Sequence, residues 1–254
     1  MFVNSVSARI CAVKINSMNK ANQLLINPSF SKKCCNRIDD GDVNVSSLER
    51  AKQELVKQAK YLSESHLTAG SGGNISMRYG DKILISAAGS MFSDLRPEDI
   101  AVVDRYGEAL TDVKPSSETK IHAAIYNKRP DVNSVIHFHP VYATVYAVAN
   151  KTMLPNILPH TTKHFSSIKV IPYKDAGTSE LAKQVSNELG QSEAILLGNH
   201  GALVVGKTPK IAAKTADSLE NYAKISYMLE NSDFNIYHLS SKNVDYMLNQ
   251  NNKR

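Results

Sequence analysis

Short apolar runs, each too brief for a helix of its own, alternate with stretches of helical period from residue 46 to residue 230. Lys82–Ser86, Ile100–Val103, Val132–His139, Ala194–Leu197 and Leu203–Val205 are such runs, set off by Gly, Pro, Asn or Asp. Asn74–Arg78 and Lys169–Ile171 read the same way, so the chain is expected to supply the strands of a sheet. Between them, apolar spacing predicts helices from about Ser46 to Ser65, Ser116 to Asn127, Pro140 to Val148, Thr178 to Leu189 and Pro209 to Leu229. Ser46 and Thr178 are placed to cap two of these. Strands alternating with helices predict an α/β domain with helices on both faces of a sheet. A further short helix is expected around Val244–Leu248.

Two of the strand runs carry imidazoles. A strand has a side-chain period of two, so His137 and His139 face one way and Phe138 the other. His200 follows the apolar run Ile195-Leu196-Leu197 at Gly198-Asn199. A single strand histidine is more often a hydrogen-bonded structural residue than a ligand, and spacing alone does not make three of them converge. If they do converge, they form the ligand set of a catalytic metal that keeps an open position. Thiolates cannot join it from the core, because Cys11, Cys34 and Cys35 all lie in the first 38 residues.

The segment Lys114-Pro115-Ser116-Ser117-Glu118 precedes a predicted helix. Its plain reading is an N-terminal cap with a favourable acid. Its sharper reading is an anion site, with Ser116 and Ser117 on a phosphate and Glu118 as general acid/base. His122 lies one helical turn after Glu118, within side-chain reach. Gly70-Ser71-Gly72-Gly73-Asn74 and Ser86-Ala87-Ala88-Gly89 are two small-residue loops whose backbone amides can approach an anion closely.

Charge divides the chain. Six of the thirty Lys and Arg, and none of the twenty-four Asp and Glu, fall within residues 1–38. The remainder is neutral, which gives no general attraction for nucleic acid. Residues 1–44 read as a basic extension, either disordered, an organellar presequence or a binding arm. Residues 45–235 read as the globular domain and 236–254 as a polar tail. No apolar run approaches the roughly 18 residues needed to span a bilayer. The expected compartment is the cytoplasm, or a mitochondrion or other organelle if residues 1–38 are a presequence.

Five motifs occur in order: Gly72-Gly73-Asn74-Ile75-Ser76-Met77-Arg78, Leu84–Gly89, Lys114–Glu118, Val135–Pro140 and Leu196–Ala202. Together they resemble the class II aldolase/adducin family, over roughly residues 48–230, and within it the L-fuculose-1-phosphate aldolase branch. The resemblance implies a three-layer α/β/α sandwich with a mostly antiparallel central sheet, in a homotetramer with active sites at subunit interfaces. It implies Zn2+, or another divalent metal, on His137, His139 and His200. It implies Glu118 as acid/base, with Gly73, Asn74, Gly89, Ser116 and Ser117 around the phosphate of a sugar substrate. The implied reaction cleaves a phosphorylated ketose into dihydroxyacetone phosphate and an aldehyde through an enediolate, whose charge a metal can carry without a Schiff base. Related 4-epimerases, decarboxylases and dehydratases share the scaffold, and adducin-type members are interaction proteins that lack the zinc histidines. Two positions depart from the fuculose pattern: Ala88 stands where a Thr is expected, and Pro159 where a Tyr is. His160, Lys163 and His164 are the nearby groups that could replace that tyrosine.

Overall fold

The computed structural model describes residues 46–68, 70–165 and 168–251. The extension at 1–44 lies outside the described residues. In chain order the elements are α1 (Ser47–Glu64), β1 (Gly73–Tyr79), β2 (Lys82–Ser86), β3 (Ile100–Val103) and α2 (Thr119–Lys128). There follow β4 (Ser134–Phe138), α3 (Val141–Ala149), α4 (Pro159–His164), β5 (Lys169–Ile171) and α5 (Ser179–Glu188). The chain closes with β6 (Ala194–Leu197), β7 (Gly201–Gly206), α6 (Pro209–Glu230) and α7 (Ser241–Asn251).

The strands form one seven-stranded sheet in the order β3-β2-β1-β4-β7-β6-β5. Every neighbouring pair is antiparallel except β5 and β6. Strand parity sorts the side chains into two cores. Ile75, Leu84, Ile136, Phe138 and Val204 pack with residues of α1, α3 and α6. Ile83, Ile85, Val135, Leu203 and Val205 pack with residues of α2 and α5. Helices therefore cover both faces, and the architecture is the three-layer sandwich the resemblance implies. Burying a side chain such as Phe138 or Ile136 is worth about 1.5–3 kcal/mol, which anchors β4 in the middle of the sheet.

The caps are those the sequence offers. Ser46, Thr178 and Thr208 each accept a backbone N–H at the start of α1, α5 and α6. Helix α3 has no local side-chain cap, since Pro140 precedes it. Its first amides, Tyr142 N–H and Ala143 N–H, instead donate to the two oxygens of Glu220 on α6, at 2.8 and 2.9 Å. Several elements differ from expectation, β4 (Ser134–Phe138 where Val132–His139 is expected) among them. Helix α4 was not anticipated, because six residues opened by a proline carry no readable period. Strand β7 begins at Gly201, earlier than its apolar run. Helix α7 runs well beyond the expected Val244–Leu248. None of the described helices is long and apolar enough to cross a membrane.

Candidate active site

Strand β4 delivers His137 from within the sheet and His139 just past its end. The turn between β6 and β7 delivers His200: its N–H donates to Leu197 O at 3.0 Å, and Asn199 takes a left-handed conformation, φ +55°. Pairing of β4 with β7, Phe138 opposite Ala202, then brings the three rings together. Their centroids are 4.6–5.1 Å apart, and one nitrogen from each lies within 4.8 Å of the others.

Gly201 makes this approach possible. A Cβ there would sit 2.4 Å from His139 Cδ2 and 2.7 Å from Phe138 O. Gly201→Ala should therefore displace the His139 ring. Overpacking of this kind costs about 1–3 kcal/mol. We expect a lowered melting temperature together with weakened divalent-metal binding, read by thermal unfolding with and without metal. Unchanged metal affinity would refute the crowding argument.

The donor chemistry suits a cation. His137 donates its Nδ1–H to Ala202 O at 3.0 Å, so its Nε2 presents a lone pair. His137 Nε2, His139 Nε2 and Glu118 Oε1 are buried and have no hydrogen-bond partner. Burial holds the His137 pKa well below the usual imidazole value, and the neighbouring His200 and His139 lower it further. Burial and His200 lower that of His139 as well. Glu118 Oε2 lies 3.1 Å from His137 Nε2, and Oε1 lies 3.8 Å from His200 Nε2. A carboxylate oxygen facing an imidazole lone pair is repulsive unless positive charge lies between them. The residues present thus fit a divalent ion.

Glu118 is the N-cap of α2 rather than a residue of its first turn, because the helix starts at Thr119 and not near Ser116. Thr119 N–H and its hydroxyl both donate to Ser116 O, closing a turn before the helix begins. The Ser116 Oγ accepts from Glu118 N–H at 3.3 Å. Ser117 beside it is exposed. This loop is laced to the one ending at Gly89. Ser116 N–H donates to Ser86 O, Ala88 N–H to Lys114 O, and Ala87 pairs with Pro115. Ser86 Oγ in turn accepts from Ile75 N–H at 3.2 Å, next to Gly73 and Asn74. The Gly73 backbone has φ +129°, and a Cβ there would sit 3.0 Å from His137 O. Gly73, Asn74, Gly89, Ser116 and Ser117 are thus brought to the same end of the sheet as Glu118 and the imidazoles. His160 and His164 lie on α4, hydrogen-bonded to Ser218 and Glu193 respectively.

Beneath Glu118 lies a polar stripe. Glu118, His122 and Tyr126 recur at four-residue spacing on α2, facing Asn74 and Ser76 at two-residue spacing on β1. Asn74 Nδ2 donates to Glu118 Oε2 at 2.9 Å, and Asn74 Oδ1 contacts His122 Nε2 at 2.5 Å. His122 Nδ1 meets Ser76 Oγ at 2.6 Å, and Ser76 Oγ meets Tyr126 Oη at 2.7 Å. Ser76 and Tyr126 were not recognisable as part of the site from either residue alone. The signal lay in matching the two periods against each other.

Burial pushes the His122 pKa down to about 3. The unfolded imidazole, with a pKa near 6.5, takes up its proton first as pH falls. Stability from this group is therefore complete above about pH 6.5 and declines as pH falls toward 3, with His137 and His139 adding in the same sense. Denaturant unfolding of the metal-free chain at about pH 7 and about pH 5 checks this; equal stability would contradict it.

Residues 53–227 match the family described as Class II Aldolase and Adducin N-terminal domain. The L-fuculose phosphate aldolase of Methanocaldococcus jannaschii is 32% identical over 177 residues, covering 70% of this chain and 96% of that protein. The 3-oxo-tetronate 4-phosphate decarboxylase of Haemophilus influenzae is 31% identical over 184 residues, 70% of this chain and 88% of that one. A solved L-fuculose 1-phosphate aldolase superposes with a TM-score of 0.75 at 30% identity, covering 82% of this chain and 97% of that chain.

Proposed function

This chain belongs to the class II aldolase and adducin family, and from that membership we propose that it is a divalent-metal-dependent lyase acting on a phosphorylated sugar. The specific reaction proposed is retro-aldol cleavage of a fuculose-1-phosphate-like ketose to dihydroxyacetone phosphate and an aldehyde. One observation carries the proposal. Two buried imidazole nitrogens without hydrogen bonds converge with His200, and the buried, unbonded Glu118 Oε1 lies 3.8 Å from His200 Nε2.

In this reading His137, His139 and His200 hold Zn2+, or another divalent ion. When bound, the ion supplies a Lewis acid that draws charge from the substrate carbonyl. Gly73, Asn74, Gly89, Ser116 and Ser117 line the phosphate end. Ser117 is exposed and open to the anion, while Ser116 Oγ is already bonded to Glu118 N–H. Glu118 carries the proton to or from the substrate carbon that loses its partner. Its buried position keeps bulk water from that proton, and Asn74 fixes one of its two oxygens.

A second reading has its own support, the 31% identity to a decarboxylase. Loss of CO2 from a 3-oxo-tetronate 4-phosphate, followed by protonation, leaves the same three-carbon keto phosphate as the retro-aldol step. The residues here would serve either substrate, since both leave negative charge beside the same carbonyl. The proposal also keeps the expected homotetramer and cytoplasmic location. Val141, Val145 and Val148, exposed along one side of α3 immediately after His139-Pro140, offer an apolar ridge for a second copy.

The deciding assay supplies metal-loaded protein with ketose 1-phosphates and with a 3-oxo acid phosphate. We expect metal-dependent release of dihydroxyacetone phosphate. An accompanying aldehyde favours the aldolase and CO2 the decarboxylase. Substrate epimerised with its carbon skeleton intact, or no affinity for divalent metal, would defeat both.

A further inference from the structure

The stripe between β1 and α2 can be given a direction atom by atom. The Glu118 carboxylate accepts and cannot donate, so Asn74 must turn its amide NH2 toward it. Asn74 Oδ1 then faces His122 Nε2, which must donate. The fully buried imidazole is neutral, so its Nδ1 is an acceptor and draws the single hydrogen of Ser76. Ser76 Oγ has no hydrogen left for Tyr126, so the Tyr126 hydroxyl donates to it. With Glu118 as a carboxylate, four hydrogen bonds thus run one way, from Tyr126 to Glu118, and the reverse order leaves Asn74 Oδ1 facing the carboxylate. Arg78, the next residue on the same face of β1, fixes the origin. Its guanidinium lies 5.0 Å from the centre of the Tyr126 ring and donates to Tyr126 O at 2.8 Å.

We propose that Tyr126, Ser76 and His122 are positioning residues that act through Asn74 on Glu118, tying down Oε2 so that Oε1 is the oxygen presented to the reacting carbon. The inference rests on the lyase reading for its catalytic consequence, but not for its geometry. Oε2 is already held by Asn74 and faces His137, whereas Oε1 has no partner and points toward His200. A reversed chain would turn the Asn74 carbonyl onto the carboxylate and release it from this orientation. Misplacing a reacting group by about 1 Å can cost on the order of 100-fold in rate, so hydroxyls buried behind the site can matter without touching substrate.

The test uses the full chain in two measurements. Nitrogen NMR of the histidine rings in the metal-free protein should show His122 protonated on Nε2 and bare on Nδ1. Carbon NMR should show the Glu118 carboxyl resonance moving in Tyr126→Phe and in Ser76→Ala. In the metal-loaded enzyme, both variants should lower kcat about tenfold with KM for the sugar phosphate unchanged, and His122→Leu should lower it about 100-fold. His122→Gln, which keeps a donor toward Asn74 and guards against a leucine variant that fails to fold, should recover part of that loss. A purely structural stripe would lower the melting temperature and leave kcat per folded molecule intact, and that result overturns the proposal. So does an His122 ring protonated on Nδ1, or a Glu118 resonance that ignores Tyr126→Phe. If the wild-type chain cleaves no sugar phosphate, the lyase reading fails by itself, and the two spectra still decide the direction of the chain.

Discussion

Glu118→Gln should bind a divalent ion about as well as the parent and turn substrate over about 10²–10⁴-fold more slowly, the usual contribution of a positioned acid/base group. The substitution is nearly isosteric. The amide oxygen of Gln can still accept from Asn74 Nδ2, which now contacts Glu118 Oε2 at 2.9 Å. The helix start is equally indifferent, because the Glu118 side chain makes no capping hydrogen bond to α2. What is removed is the ability to take up and return a proton beside the imidazoles. A metal titration by calorimetry, paired with kcat at saturating substrate, separates the two effects. Parent-like kcat would take the acid/base role from Glu118. Metal affinity lost together with kcat would make Glu118 a ligand of the ion as well.

His139→Ala should have the opposite signature, with metal affinity lost first and activity following. Groups that merely orient a metal ligand are worth about 10–100-fold in affinity, so deleting a ligand should exceed about 100-fold. The fold should survive. His139 lies past the end of β4 and is only partly buried, and the neighbouring Phe138 and Pro140 keep the strand and α3 in place. Competition against a metallochromic chelator gives the affinity directly, and circular dichroism verifies the fold. Affinity equal to the parent's would remove His139 from the ligand set and leave the convergence of the three rings without a chemical purpose.

Much of this was legible in the chain. The strands at Lys82–Ser86, Ile100–Val103 and Ala194–Leu197 end where turn residues end them, and Ser46, Thr178 and Pro209 mark real helix starts. The convergence of His137, His139 and His200 was legible only as a possibility. It depends on β4 pairing with β7 across more than sixty residues of chain, and no local period encodes such a pairing. The start of α2 was misjudged because a proline followed by two serines signals a cap, whereas here Pro115 pairs with Ala87 and Ser116 closes a turn of its own. Ser76 and Tyr126 look like ordinary members of a strand and a helix. Their importance appears only when the two elements are laid face to face, because a four-residue period on α2 then meets a two-residue period on β1.

The amides of α3 answered by Glu220 have a consequence for how such a site can open. Burial raises the pKa of Glu220, while the N–H groups of Tyr142 and Ala143 work to keep it charged. Helix α3 leaves β4 after only His139 and Pro140, so this carboxylate ties the end of the sheet that carries the imidazoles to α6. Sliding α3 along α6 would strip the half-buried Glu220 of two donors, so rearrangement at this end of the sheet falls more cheaply on the connecting loops.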